Sequence, residues 1–176
     1  MTGKKILGIN GFGRIGRYLT RLSIADPEVD VALINDISDV KTLMHLFKYD
    51  SIHGRFDMDF EIKGNQVLFA NGKQVVFNQE RNPELIPWST YGVQTVVECT
   101  GLFLTNDSAA KHFIGGAKKV VLSAPAKDPN VKTIVLGING HMLTAEDRVI
   151  SNASCTTNNV APLIKVMMTL SEIEQA

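Results

Sequence analysis

The glycine-rich segment Gly11-Phe12-Gly13-Arg14-Ile15-Gly16 constrains the fold of this chain more than any other part of its sequence. It follows a short apolar run, Ile6–Ile9, and opens a stretch of helical spacing from about Arg14 to Ala25. Asp36 comes twenty residues after Gly16, at the end of a second apolar run, Val29–Ile34. This order of strand, glycine turn, helix and strand-terminal acid is typical of a dinucleotide-binding unit.

Each part of this pattern has a physical reason. Gly11 permits the tight turn, Gly13 lets the backbone approach a pyrophosphate, and Gly16 lets the helix pack close to the strand. The helix N-terminus presents free N–H groups and a partial positive charge to the phosphates. Asp36 can accept hydrogen bonds from the adenosine ribose and would repel a 2′-phosphate, which favours NAD over NADP as the cofactor. The alternative is a strand-turn-helix unit whose glycines serve packing alone.

Apolar runs and helical stretches alternate along the rest of the chain. A second helix is predicted from Asp39, and the turns Gly64-Asn65 and Asn71-Gly72 indicate an antiparallel hairpin segment inserted into a parallel pattern. The predicted fold class is therefore α/β, a Rossmann-type doubly wound and mostly parallel sheet with that inserted segment. The later strands are expected at 56–62, 66–70, 74–77, 95–97, 120–122, 134–136 and 149–150, and the last helix at 156–170. The apolar stripes are expected at Ile15, Leu19, Leu22 and Ile24 in the first helix and at Val40, Leu43, Met44 and Phe47 in the second.

The composition excludes several classes of protein. Eighteen basic and eighteen acidic residues give 176 residues no net charge, so neither nucleic acid nor an anionic membrane is an expected partner. No apolar stretch reaches the roughly 20 residues needed to span a bilayer, and no secretory signal is recognisable. No His/Cys spacing resembles a metal site. The sequence around each of the two cysteines is typical of an intracellular protein, and we therefore expect a cytoplasmic protein.

The cysteine at position 155 lies where a strand gives way to the last helix. Ser154 is a plausible N-cap, which would place Cys155 in the first turn of that helix. There the free N–H groups and the helix dipole stabilise a thiolate. The alternative is a small packed cysteine in a capping turn. Cys99 follows a buried strand without this advantage, and we interpret it as a packing residue.

Together these segments closely resemble the phosphorylating glyceraldehyde-3-phosphate dehydrogenases, and the octapeptide around Cys155 is highly specific. The similarity covers nearly the whole chain in the family's order. A departure is Asn159, where many members carry a second cysteine. The matching stretches are Ile9-Asn10-Gly11-Phe12-Gly13-Arg14-Ile15-Gly16-Arg17, Lys48-Tyr49-Asp50-Ser51-Ile52-His53-Gly54-Arg55-Phe56, Gly115-Gly116-Ala117-Lys118-Lys119-Val120 and Ser151-Asn152-Ala153-Ser154-Cys155-Thr156-Thr157-Asn158.

The resemblance implies roles for particular residues. Cys155 would be the nucleophile that forms a thioester with the aldehyde substrate, glyceraldehyde 3-phosphate, while hydride passes to NAD and inorganic phosphate releases the product. Ser154 and Thr156 would bind the substrate and its phosphates. The cofactor would be contacted by Gly11, Gly13, Arg14, Ile15 and Gly16 in the turn, by Asp36 at the ribose, by Arg81 near the adenine and by Ser123 toward the nicotinamide.

The resemblance also implies a domain organisation. Residues 1–153 would form the NAD-binding domain, and residues 154–176 the first helix of a catalytic domain. The family's catalytic histidine is expected beyond Ala176, so we expect the chain alone to bind NAD with little or no dehydrogenase activity. The family also suggests a homotetramer.

Two other functions stay open at this point. An erythrose-4-phosphate dehydrogenase would share the fold and the cysteine but act on a longer sugar phosphate. A nucleotide-binding module without catalysis would keep the fold alone. A cysteine hydrolase is disfavoured, because the glycine turn would then have no purpose.

Overall fold

The computed structural model describes residues 4–173, which form eleven strands, four α-helices and several short 3₁₀ turns within that range. The helices are α1 (Arg14–Ala25), α2 (Val40–Lys48), α3 (Asn106–Ala110) and α4 (Cys155–Met167). The strands are β1 (Lys5–Asn10), β2 (Val29–Asn35), β3 (Tyr49–Asp50), β4 (Gly54–Arg55), β5 (Phe60–Lys63), β6 (Gln66–Phe69), β7 (Gln74–Asn78), β8 (Thr95–Glu98), β9 (Lys119–Leu122), β10 (Lys132–Thr133) and β11 (Val149–Ser151).

Nine of these strands form one sheet in the order β10-β11-β9-β8-β1-β2-β7-β6-β5. Every pairing from β10 to β7 is parallel, and β7-β6-β5 continues the sheet as an antiparallel meander. The predicted Rossmann-type class with an antiparallel insertion is confirmed. The chain leaves β1 toward β2 on one side and returns to β8 on the other. Open α/β sheets bind ligands at such a point of reversal, beyond the carboxyl ends of the strands.

Two apolar clusters cover the two faces of the sheet. Alternate residues of a strand point to opposite faces, and in β7 Val75 and Phe77 belong to one cluster while Val76 belongs to the other. The first cluster contains the predicted stripe of α2, with Phe47 completely buried. The second is centred on Trp88, which is also completely buried. The sheet is therefore the middle layer of the structure. Because both of its faces are covered, a site is expected at the ends of its strands.

The bounds of α1 are as predicted, but only part of its predicted apolar stripe is buried, since Ile24 belongs to the first cluster and Leu19 packs against it. Ile15 and Leu22 are 54% and 53% exposed, whereas the buried side chains are mainly small ones. A Cβ added to Gly16 would lie 2.2 Å from the carbonyl oxygen of Gly11, so the helix lies very close to the turn that precedes it. Close approach at Gly16 leaves room there for small side chains only, and Ile24, a large apolar residue, is buried near the other end of the helix. The buried residues of α1 are Gly16, Thr20, Ser23 and Ile24.

Two predicted strands differ from those observed. The segment 134–136 is not a strand, because Asn139 accepts a hydrogen bond from the Val135 N–H and donates one to the carbonyl oxygen of Thr133, which turns the chain away from the sheet. The predicted strand 56–62 is shortened to β5, because Phe56 instead donates its N–H to Lys48 beside the β3–β4 hairpin. Helix α3 was not predicted, since its five residues are too few for a periodic pattern.

Helix α4 has no buried residue, and several of its apolar side chains are exposed, including Leu163 and Val166 at 57% and 61%. No helix within residues 4–173 combines the length and apolar character that crossing a bilayer requires.

The contact between Gly16 and Gly11 generates a test of the fold. We expect Gly16→Ala to lower the free energy of unfolding by about 1–3 kcal/mol, because the added methyl group would clash with a backbone oxygen. Gly13→Ala is the matched control, since its Cβ would meet no atom within 4 Å. That variant should lose less than about 1 kcal/mol, the cost of alanine at an N-cap. Urea unfolding of both variants measures the difference, and equal losses would contradict the packing described.

Candidate functional site

A cleft of about 360 Å³ lies where β1, β2 and β8 end, at the point of strand reversal. A larger open groove of about 680 Å³ lies elsewhere and is lined by residues such as Lys4 and Lys73. The Lys73 amine there already donates to backbone carbonyls and pairs with Asp30, so it is occupied in holding the fold. We therefore place the site in the smaller cleft. Its lining residues are Asn10, Gly11, Gly13, Asn35, Asp36, Ile37, Glu80, Arg81, Cys99, Thr100, Leu102 and Phe103.

The glycine turn forms one wall of this cleft. Gly11 has a φ of 94°, and a Cβ there would lie 2.8 Å from the backbone nitrogen of Thr100, so two backbone segments meet at this point. Gly13 is the N-cap of α1 and offers no side-chain hydrogen bond to the helix N-terminus. A Cβ on Gly13 would meet no protein atom within 4 Å. The turn thus leaves the positive end of a twelve-residue helix open to an anionic ligand.

Asp36 lies beside the glycine turn, directly after β2. Its Oδ2 accepts a hydrogen bond of 2.8 Å from the N–H of Phe12, inside the glycine turn. Its Oδ1 accepts one of 3.0 Å from the N–H of Ser38. The two bonds fix the carboxylate at the cleft, and each oxygen retains a lone pair for a ligand hydroxyl.

The other predicted cofactor residues are spread around this cleft. Arg81 lines it and is exposed. Arg14 and Ile15 are exposed in the first turn of α1 and are not among the lining residues. Ser123 follows β9 and contacts Cys99. Burial raises the pKa of the Cys99 thiol to about 12, the Glu98 carboxylate adds to the rise, and the hydrogen bond with Ser123 opposes it.

Cys155 lies on the same side of the sheet, at the carboxyl ends of the strands, but on a different element from the glycine turn. Four inter-strand spacings, about 19 Å in all, separate the end of β2 from that of β11, where the Cys155 segment begins. Cys155 is the first residue of α4 and is exposed. The Ser154 hydroxyl accepts a hydrogen bond of 3.0 Å from the N–H of Thr157, which confirms the predicted N-cap. The hydroxyl of Thr156 lies 2.9 Å from that of Ser154.

The chain makes a sharp elbow before this cysteine. Ala153 is buried and has a φ of 61°, a left-handed conformation that non-glycine residues rarely adopt. Ser151 accepts a hydrogen bond of 3.1 Å from the N–H of Ala153, and Asn158 donates bonds of 2.7 and 3.0 Å to the carbonyls of Asn152 and Ser154. The elbow is therefore held from both sides. A strained backbone conformation persists only where surrounding contacts hold it in place. Such residues are common at functional sites.

The buried polar residues beneath the cleft are not among the predicted site residues. Glu98, His112, Asn10 and Asn35 are each 3% exposed or less and form one hydrogen-bonded group. Asn10, Asn35 and Glu98 each end a parallel strand, and that shared position was the available signal. Within residues 4–173 no group of three His, Cys, Asp or Glu side chains could hold a metal ion.

The chain is similar to known proteins over most of its length. Residues 5–106 match the family model of the glyceraldehyde 3-phosphate dehydrogenase NAD binding domain. A glyceraldehyde-3-phosphate dehydrogenase of Geobacillus stearothermophilus is 49% identical over 162 residues, which cover 92% of this chain and 48% of the relative. Glyceraldehyde-3-phosphate dehydrogenase 1 of Bacillus subtilis is 48% identical with the same coverage. A Mycoplasma pneumoniae relative of the same name is 42% identical over 161 residues. The chain spans about half the length of these curated relatives.

The settings of the two cysteines generate a test. At neutral pH, iodoacetamide should label Cys155 much faster than Cys99, because Cys155 is exposed and Cys99 is partly buried with a raised pKa. Labelling of Cys99 in the folded chain should accelerate only as the pH rises toward 12. Mass spectrometry of digested protein measures both rates, with Cys155→Ser as the control that leaves one slow thiol. Equal labelling of the two cysteines at neutral pH would contradict these settings.

Proposed function

Given that the chain belongs to the glyceraldehyde 3-phosphate dehydrogenase family, we propose that it binds NAD along the carboxyl edge of its sheet and carries the nucleophile of the phosphorylating reaction. The open glycine turn beside Asp36 is the observation that carries this proposal. It supplies an uncapped helix N-terminus and a fixed carboxylate next to each other in one cleft.

The residues of the cleft fit a dinucleotide. The pyrophosphate would lie against the open N-terminus of α1, where Gly13 leaves space for it. Asp36 would accept hydrogen bonds from the adenosine ribose hydroxyls, and its charge would repel a 2′-phosphate. Arg81 would border the adenine, Arg14 and Ile15 the phosphates, and Ser123 the nicotinamide end.

The proposed chemistry is centred on Cys155. Its sulfur would bond to the aldehyde carbon of glyceraldehyde 3-phosphate, and the aldehyde oxygen would become the hydroxyl of a hemithioacetal. Bound NAD supplies the hydride acceptor that this oxidation requires. The carbon would then be held as a thioester on Cys155 until a phosphate oxygen attacks it and the sulfur leaves. Ser154 and Thr156, whose hydroxyls flank the cysteine, would hold the phosphate groups.

The remaining proposals concern the setting of this reaction. We assign residues 1–153 to the nucleotide-binding unit and 154–176 to the start of a catalytic unit, which fits the lack of buried residues in α4. Glyceraldehyde 3-phosphate and inorganic phosphate would be the substrates of the protein. A cytoplasmic homotetramer that binds neither nucleic acid nor membrane is the proposed form.

Nucleotide selectivity tests the cofactor assignment. The chain should bind NAD more tightly than NADP, and Asp36→Ala should weaken NAD binding about tenfold while abolishing that preference, since a hydrogen bond to a charged group is lost. Asp39→Ala is the matched control, because Asp39 caps α2 through the Thr42 N–H and does not line the cleft. Calorimetric titration measures each affinity. An unchanged preference in Asp36→Ala would refute the role of Asp36, and no binding of NAD by the wild-type chain would refute the proposed function.

Substrate protection tests the role of Cys155. Glyceraldehyde 3-phosphate should slow the alkylation of Cys155 several-fold, because its aldehyde carbon competes with iodoacetamide for the same sulfur. Glyceraldehyde without phosphate should protect less, since the hydroxyls of Ser154 and Thr156 would have no phosphate to hold. Equal labelling rates with and without the phosphorylated aldehyde would contradict the proposed chemistry.

A further inference from the structure

A buried carboxylate, Glu98, connects the two walls of the cleft. Its Oε2 accepts a hydrogen bond of 2.6 Å from the side-chain amide of Asn10, at the end of β1. Its Oε1 accepts one of 2.7 Å from the N–H of Thr100 and another from the Thr100 hydroxyl. Asn10 and Thr100 both line the cleft, while Glu98 lies beneath it at 1% exposure.

Further hydrogen bonds connect Asn10 and Thr100 to the rest of the two walls of the cleft. Asn10 accepts a hydrogen bond of 2.8 Å from the amide of Asn35, which immediately precedes Asp36. The Thr100 hydroxyl accepts one of 3.1 Å from the N–H of Leu102, so it orders the loop on the other side. The Thr100 backbone also lies against Gly11 in the glycine turn. The position of the carboxylate thus sets the turn, the ribose-binding acid and the facing loop relative to one another.

The neighbouring histidine has one tautomer that fits these contacts. The indole N–H of Trp88 lies 3.1 Å from Nδ1 of His112, and an indole N–H can only donate. Nδ1 therefore accepts, the imidazole is neutral, and its proton is on Nε2. Nε2 lies 3.0 Å from Oε2 of Glu98 and donates to it. Each oxygen of Glu98 accordingly accepts from two donors, and two of the four, the Thr100 backbone N–H and the Asn10 amide, can only donate at these positions, which favours the carboxylate form.

We propose that Glu98 is a positioning residue for the nucleotide cleft, held as a carboxylate by the Nε2–H tautomer that Trp88 imposes on His112. This inference rests on the proposed function, since it assigns the cleft to NAD. Glu98 does not line the cleft and would not touch the ligand. It acts through Asn10 and Thr100, which do line the cleft.

Glutamine cannot replace this carboxylate, although it has nearly the same shape. Its NH₂ group would face either the two donors of Thr100 or the donors of Asn10 and His112. A tautomer change in His112 would relieve one contact but would place Nδ1–H against the indole N–H of Trp88. Rotation of the Asn10 amide would break its bond from Asn35. Every arrangement therefore leaves buried donors unsatisfied, and the walls of the cleft must shift.

NMR of the ¹⁵N-labelled wild-type chain without ligand gives the first test. Long-range ¹H–¹⁵N spectra identify the tautomer of each histidine, and the His112→Phe variant assigns the His112 signals. We expect a neutral imidazole protonated on Nε2. A proton on Nδ1, or a doubly protonated ring at neutral pH, would overturn the proposal without any bearing on NAD binding.

Calorimetric titration with NAD gives the second test. Glu98→Gln and His112→Phe should each weaken NAD binding about tenfold, and His112→Gln should recover much of the affinity, because its amide can donate to Glu98 again. Lys73→Met is the matched control. Lys73 bonds three backbone carbonyls away from the cleft, so this variant should lower the melting temperature and leave NAD affinity within about twofold of wild type.

The possible results distinguish a failure of the proposed function from a failure of the inference about Glu98. A wild-type chain that binds no NAD would refute the proposed function, and the inference with it. Normal NAD affinity in a cooperatively folded Glu98→Gln or His112→Phe variant would refute the inference alone, as would an equal loss in Lys73→Met. If Glu98→Gln does not fold cooperatively, the His112 pair decides: loss in Phe with recovery in Gln supports the positioning role, and equal affinities overturn it.

Discussion

The close contact between Gly16 and the carbonyl oxygen of Gly11 is the constraint on which the rest of the site depends. It brings α1 against the end of β1, with 2.2 Å between that oxygen and the place where any other residue would have its Cβ. The same contact fixes where the helix N-terminus points. Because Gly13 then leaves that N-terminus uncapped, the fold produces an anion-binding surface as a consequence of helix packing.

In a parallel sheet the carboxyl ends of all strands lie on the same side, and the polar side chains at these ends come close together. When such side chains are buried they lose their hydrogen bonds to water, and hydrogen bonds within the protein must replace them. Asn10, Asn35 and Glu98 end three adjacent strands and satisfy one another through a continuous series of hydrogen bonds that ends at His112 and Trp88. Buried polar groups of this kind are stabilising only when every member has its partner. The network therefore makes the cleft rigid, and it places Asp36, Gly11 and Thr100 in one geometry.

Much of this arrangement could be predicted from the sequence, for reasons that differ between elements. The glycine turn and Asp36 have a fixed spacing that local geometry requires, and the N-cap at Ser154 is a local signal as well. The strand predicted at 134–136 was wrong because a single side chain, Asn139, competes for the backbone hydrogen bonds. Glu98 and His112 are fourteen residues apart and meet only through the fold, so no local pattern could pair them. The roles of Cys155, Ser154 and Thr156 stay predictions.

The most direct measurement is an NMR titration of the ¹⁵N-labelled chain with NAD, which maps the backbone amides that respond. We expect saturable shifts at Gly11, Phe12, Gly13 and Thr100, around the cleft where the parallel strands reverse. Shifts confined to the larger groove near Lys4 and Lys73, or no shifts at saturating NAD, would contradict the central claim that the glycine turn and Asp36 form the nucleotide site.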